Sequence, residues 1–212
     1  MKSVEALPRI QETQFAANLV SRVQESAGIR IRGDVFIEVY KGGVCHDKRI
    51  VQNVVTLDAS ILLARLLRSN VEPPFGAFCL AVGTGDVGWN PLSPPAATNT
   101  QRSLYSEISR KTFANTQFVD GTGMPVAYPT NVLDLTTTFT ESEAVGPLCE
   151  MGIIGGNVSS NLSIRNPVLP PNGPRDLTVD LTTKETLLNY LTFAIISKPA
   201  TSTLSITWRL TL

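Results

Sequence analysis

Hydrophobic and polar residues alternate one for one along much of this chain, most regularly at its end. From Thr203 to Leu212, the residues Leu204, Ile206, Trp208, Leu210 and Leu212 share one side; Thr203, Ser205, Thr207, Arg209 and Thr211 share the other. Successive side chains of a strand point to opposite faces, so this spacing predicts a strand with one buried and one wetted face. Such a strand needs a sheet to dock on, and it places Trp208 in the core. Val35–Tyr40 and Arg49–Val55 predict two strands joined as a hairpin across Lys41-Gly42-Gly43. Further strands are predicted at Phe75–Val82, Leu104–Arg110, Lys111–Val119, Leu133–Thr140, Cys149–Ile154 and Leu188–Ile196.

Two segments change period. Over Ile10–Ala27, the residues Phe15, Ala16, Leu19, Val20 and Val23 form an apolar stripe at helical spacing, and Gly28 stops it. This helix either packs on the sheet or lies, as an N-terminal arm, on a neighbouring subunit. Thr56–Arg68 predicts a second helix, with Thr56 or Asp58 as its cap and a broad apolar face of Ile61, Leu62, Leu63, Leu66 and Leu67. Pro73-Pro74 prevents its continuation. Two long proline-bearing loops remain, Trp89–Gln101 and Asn166–Pro174. Eight or so strands, antiparallel hairpins and two helices in the N-terminal third predict a mainly β fold, an antiparallel β-sandwich of jelly-roll-like form. The expected division is a helical arm over 1–30 and a sandwich domain over 31–212.

Composition narrows the partners. Eighteen basic residues balance 18 acidic ones, so the chain lacks the basic excess that a general grip on nucleic acid needs. Low net charge suits a protein that sits in an assembly. Neither a secretion signal nor a membrane-spanning run is read in the sequence. Cys45, Cys79 and Cys149 are widely spaced and odd in number, and no disulfide is expected. With His46 the sole histidine and no Cys-x-x-Cys pair, no metal site is expected.

The candidate chemistry is sparse. Gly83-Thr84-Gly85-Asp86-Val87-Gly88 matches the glycine pattern of dinucleotide-binding turns, which works only where a helix follows and presents its amides to a pyrophosphate. Trp89-Asn90-Pro91 cannot start one, so a plain turn is expected and no cofactor. Arg32-Gly33-Asp34 is read as a strand start, and the sequons at Asn157 and Asn161 carry no weight without a secretion signal. Cys45, His46 and Asp47 are expected together in the hairpin turn, where neighbours in sequence rarely meet as nucleophile and base.

Glu107, Arg110 and Glu150 are charges set in or beside apolar strands, where an unpaired charge is expensive. The expectation is an ion pair between Arg110 and one of the glutamates, pinning two strands. The competing reading makes Glu107 and Glu150 a glycosidase pair. The interface candidates are Phe15 and Leu19 on the arm, Trp89, Pro91, Pro94 and Pro95 on the first loop, and Pro170 and Pro171 on the second.

Taken in order, several pieces resemble small virion proteins of tailed bacteriophages. They are Ala81-Val82-Gly83-Thr84-Gly85, then Leu104-x-x-Glu107-Ile108-x-Arg110. Phe139-x-Glu141-Ser142-Glu143-Ala144-x-Gly146-x-x-x-Glu150-Met151-Gly152-Ile153 follows, and Leu204-Ser205-Ile206-x-Trp208 closes the chain. The match covers about residues 76 to 212. The resemblance implies a non-enzymatic structural part of a virion, assembled in the host cytoplasm. Similar proteins serve as capsid decoration (cement) proteins or as neck, tail and baseplate components. The implied partners are other virion proteins, such as the major capsid protein, and further copies of the chain, as a trimer for instance. The proline loops and the arm favour the cement role; a glycan-binding tail module is the more distant alternative.

Overall fold

The computed structural model of the chain describes residues 31–68, 76–156, 158 and 185–212. The helix expected over Ile10–Ala27, the arm it would form and the loop Asn166–Pro174 lie outside the described residues, as do Phe15, Leu19, Pro170 and Pro171. Among the described residues there are eleven strands and one helix, arranged as two antiparallel sheets around a shared core.

The first hairpin joins β1 (Arg32–Lys41) to β2 (Val44–Gln52) through Gly42 and Gly43, at φ of 56° and 80°. Positive φ at both central residues gives a two-residue turn whose twist matches the strands it joins, and glycine adopts it without strain. The turn is so tight that β2 begins at Val44 rather than at Arg49, which corrects the expectation for Cys45, His46 and Asp47. They lie on an edge strand, not in the turn. A bulge between Val39 and Tyr40 absorbs the register change.

β2 is the sheet's edge, and it turns half-buried charges toward its inner side. Asp47 pairs opposite Val39, and Arg49 opposite Ile37. Arg49 binds Asp47 at 2.7 Å and donates to the carbonyls of Ala194 (2.5 Å) and Ile195 (3.3 Å) in the other sheet. Charges on the inner face of an edge strand discourage a foreign strand from pairing there, and these two also lace the open side shut.

The chain then changes sheets. β3 (Val54–Val55) pairs with β10 (Glu185–Lys198), and Thr56 caps α1 (Leu57–Arg68) by accepting from the Ala59 amide at 3.2 Å. Of the apolar helix face expected from the sequence, Leu62 is buried (5% exposed), whereas Leu63, Leu66 and Leu67 reach solvent. The helix rests on β10 along a narrow line.

β4 (Ala77–Gly83), β5 (Glu107–Thr112), β6 (Asn115–Val119), β7 (Pro125–Val126), β8 (Val132–Phe139), β9 (Gly146–Gly156) and β11 (Thr203–Thr211) complete the set. The first sheet runs β2-β1-β11-β8-β6-β7 and the second β3-β10-β9-β4-β5. β11 thus sits between β1 and β8, and Leu204, Ile206 and Trp208 are fully buried on its inner side. They meet Val35, Ile37, Phe139, Leu80, Met151, Ile153 and Leu191 in one core drawn from both sheets. Leu210 is only half-buried and Leu212 is 54% exposed, so the apolar face frays at the chain's end. β1–β11 and β3–β10 each pair strands that lie far apart in the chain. β4–β9 does the same, whereas β1–β2, β4–β5 and β9–β10 are neighbours both along the chain and in the sheet.

Candidate functional site

Alternation also gives the second sheet an outer face. Leu80 and Val82 of β4 point into the core, while Cys79 and Ala81 point outward, into a smaller cluster with Leu104, Ile154, Leu187 and Tyr190. The segment between β4 and β5, residues 84–106, arches over this face. Pro91 takes the Ile195 amide on its carbonyl at 2.7 Å, and Pro95 takes the Thr192 hydroxyl at 2.7 Å. At the far end, Asn99 accepts from the Leu57 amide at 2.9 Å. A long proline loop is thereby fastened to the edge of β10 and to the helix start. Prolines suit this role: they lack the amide but keep the carbonyl as an acceptor.

The clasp beneath the loop is Glu150. Its side chain is fully buried and accepts four hydrogen bonds. Oε1 takes the amides of Gly85 (3.2 Å) and Ser106 (2.8 Å), and Oε2 takes the Tyr105 amide (3.0 Å) and the Tyr190 hydroxyl (2.7 Å). Charge-assisted hydrogen bonds from four converging donors hold the buried carboxylate in place. Burial and then the Glu150 charge push the Tyr190 phenol well above its usual range, so it stays a donor.

The glycine run is explained by the same group. A Cβ on Gly83 would lie 2.5 Å from both Glu150 Oε1 and the Ser106 carbonyl, and one on Gly85, at φ of 74°, would collide with the Trp89 ring. The dinucleotide-like pattern is therefore an anion-holding turn whose anion is the protein's own carboxylate. The chain turns back after it instead of starting a helix, with the Trp89 amide bonded to the Asp86 carbonyl at 3.1 Å.

Arg110 forms a second buried knot. Its guanidinium binds Glu107 through Nε (2.5 Å) and Nη2 (2.7 Å), and Glu185 through Nη1 (2.6 Å) and Nη2 (2.9 Å). Burial alone would lower its pKa, but the bonds to Glu185 and Glu107 outweigh this and hold it charged. Of the three charges singled out in the sequence, Arg110 meets one of the two glutamates, Glu107, and Glu150 belongs to the other cluster. Glu185 went unnoticed because its neighbours on the N-terminal side carry no strand pattern, although an acid at the start of a long apolar strand was a usable signal. Burial pushes the nearby Cys79 thiol up to about 12. All three cysteines are free thiols.

Trp89 packs edge-on against Tyr105, with centroids 4.9 Å apart and planes at 66°, and is half-buried. Pro91 and Pro95 are exposed and Pro94 is half-buried. Clefts open on either side of the indole. One, of about 360 Å³, is lined by Pro95, Ala96, Thr98, Thr100, Gln101, Tyr105, Tyr190 and Thr192. The other, of about 330 Å³, is lined by Thr84, Asp86, Val87, Pro91, Pro147, Cys149 and Ile195. Around them Val87 and Leu92 are exposed at 106% and 74%, a large apolar investment in solvent for one loop.

Elsewhere, Arg209 forks onto Asp134 directly opposite it on β8 (2.8 Å for both bonds) and covers the Phe36 ring at 5.4 Å. Among the described residues no cluster of three or more His, Cys, Asp or Glu is placed to hold a metal ion, and no helix is long and apolar enough to cross a membrane. No protein-family model matches this sequence, and no curated protein matches it.

Proposed function

We propose that this chain is a non-enzymatic structural protein of a tailed-phage virion, most directly a capsid cement protein that binds the major capsid protein and further copies of itself. In this reading the two sheets form a β-sandwich body with jelly-roll-like outer pairing, and the loop over 84–106 is its docking face. The observation that carries the reading is that this loop is fastened at both ends and along its length, yet leaves Val87 and Leu92 in solvent around Trp89. A rigid mount for exposed apolar side chains lowers the ordering cost of association, which is what a clamp between subunits needs. Glu107, Arg110 and Glu150, the groups an enzymatic reading would use, are engaged as fasteners of the fold.

The second reading, a neck, tail or baseplate component, uses the same face on a different neighbour. Co-sedimentation of the recombinant protein with purified heads and with purified tails separates the two. Binding to heads alone supports cement, and binding to tails alone supports the second reading. Failure to sediment with either dismisses both.

A further inference from the structure

We propose that the two clefts beside Trp89 form one groove for an extended, proline-bearing peptide of a partner protein, with a basic residue of that peptide set beside Asp86. The inference rests on the reading of the 84–106 loop as a docking face and adds the chemistry of what docks there. Trp89 is the common wall of both clefts, so a chain crossing it sets one apolar side chain or proline ring on each side. Polyproline II suits such a pair of slots: it is extended, has no internal hydrogen bonds and has little backbone freedom left to lose.

The walls match that ligand. They are aromatic and prolyl in the first cleft (Tyr105, Tyr190, Pro95) and prolyl and aliphatic in the second (Pro91, Pro147, Val87). Among the described residues lining the two clefts, Asp86 is the one carboxylate and none is basic; it is exposed, and its Oδ1 takes the Gly88 amide at 2.8 Å.

The same walls argue against a sugar. Recognition of a hydroxyl-rich ring needs several free, directed donors, and most side chains that could supply them in the first cleft already bond within the fold. Thr192 donates to Pro95 (2.7 Å), Gln101 Nε2 to Ser103 (2.8 Å), and Thr98 and Thr100 bond each other (3.1 Å).

The test titrates the full chain with acetyl-Arg-Pro-Leu-Pro-Pro-Leu-Pro-amide, followed by tryptophan fluorescence and calorimetry. Trp208 is fully buried, so a spectral change reports Trp89. A saturable change is expected, lost when every proline of the peptide is replaced by alanine. Ala96→Trp, an exposed rim position whose new side chain fills the first cleft, is expected to weaken binding at least tenfold, about what the loss of one anchor contact produces. Asp86→Asn is expected to weaken it about two- to fivefold, the scale of one partly exposed charge pair, and to leave a Glu-for-Arg peptide no weaker. No saturable signal at millimolar peptide, unchanged affinity in Ala96→Trp, or binding of chitotriose in place of the peptide would each overturn the proposal. Peptide failure with intact co-sedimentation removes only the groove. Peptide binding without co-sedimentation removes the virion reading and keeps the groove.

Discussion

Replacing Glu150 by glutamine keeps the shape of the side chain and removes its charge, which makes it the sharpest probe of the clasp. Four donors converge on the carboxylate, three of them backbone amides that cannot reverse. The least damaging orientation puts the new NH2 at the Oε2 position, where the Tyr190 hydroxyl can rotate and accept. The Tyr105 amide then faces a donor and is orphaned. An orphaned buried donor costs about 1–3 kcal/mol, and the bonds from Gly85 and Ser106 lose charge assistance worth roughly 1 kcal/mol each. The sum is about 3–5 kcal/mol, a large part of the roughly 5–15 kcal/mol that holds a domain together.

Urea unfolding measures the total, and amide hydrogen exchange locates it. Tyr105 should lose protection first, with Gly85 and Ser106 following less steeply. Stability within 0.5 kcal/mol of the parent together with a protected Tyr105 amide would refute the argument. The same variant separates structure from catalysis. A general acid can be replaced by its amide with turnover lost and the fold unharmed, whereas here the fold itself should weaken.

Arg110→Met should destabilise by about 3–5 kcal/mol in urea, because it leaves Glu107 and Glu185 buried without their shared cation. Gly83→Ala should cost about 1–3 kcal/mol through the forced approach to the Ser106 carbonyl, while Gly121→Ala, where a new methyl meets nothing within 4 Å, should stay within about 0.5 kcal/mol by the same assay. At alkaline pH, Cys79 and Tyr190 both have folded pKa values raised above their unfolded ones of 9.0 and 10.0. The Cys79 contribution is complete below pH 9 and is lost as pH climbs toward about 12, and that of Tyr190 begins to fall above pH 10.0, because the unfolded chain releases those protons first. The urea midpoint should therefore fall between pH 9 and pH 11.5, and Cys79→Val should flatten the early part of that fall. An unchanged slope in the variant would count against burial as its cause.

What the sequence revealed and what it hid follow from the range of each interaction. The inner faces of β11, β1 and β8 were legible because burial on one side of a sheet imposes a period of two on every residue of the strand. The single cap at Thr56 was legible because it acts over three residues. The apolar face of α1 misled, since periodicity counts apolar side chains without saying how much of them a partner covers; Leu62 is covered and Leu67 is not. The charges could be singled out but not matched. Arg110 reaches a glutamate three residues away and another 75 residues away, and only tertiary structure brings the second to it.

The glycine run shows the same limit from the other side. Gly83 and Gly85 announce a backbone that must approach something closely, and the proline that follows excludes the helix a nucleotide would need. The remaining step, that the thing approached is Glu150, depends on the antiparallel register that sets Gly83 opposite Glu150 between β4 and β9. That pairing turns the run from a sign of a ligand into a mount for a loop. Val87 and Trp89, carried on it, are then the residues through which the proposed docking would take place.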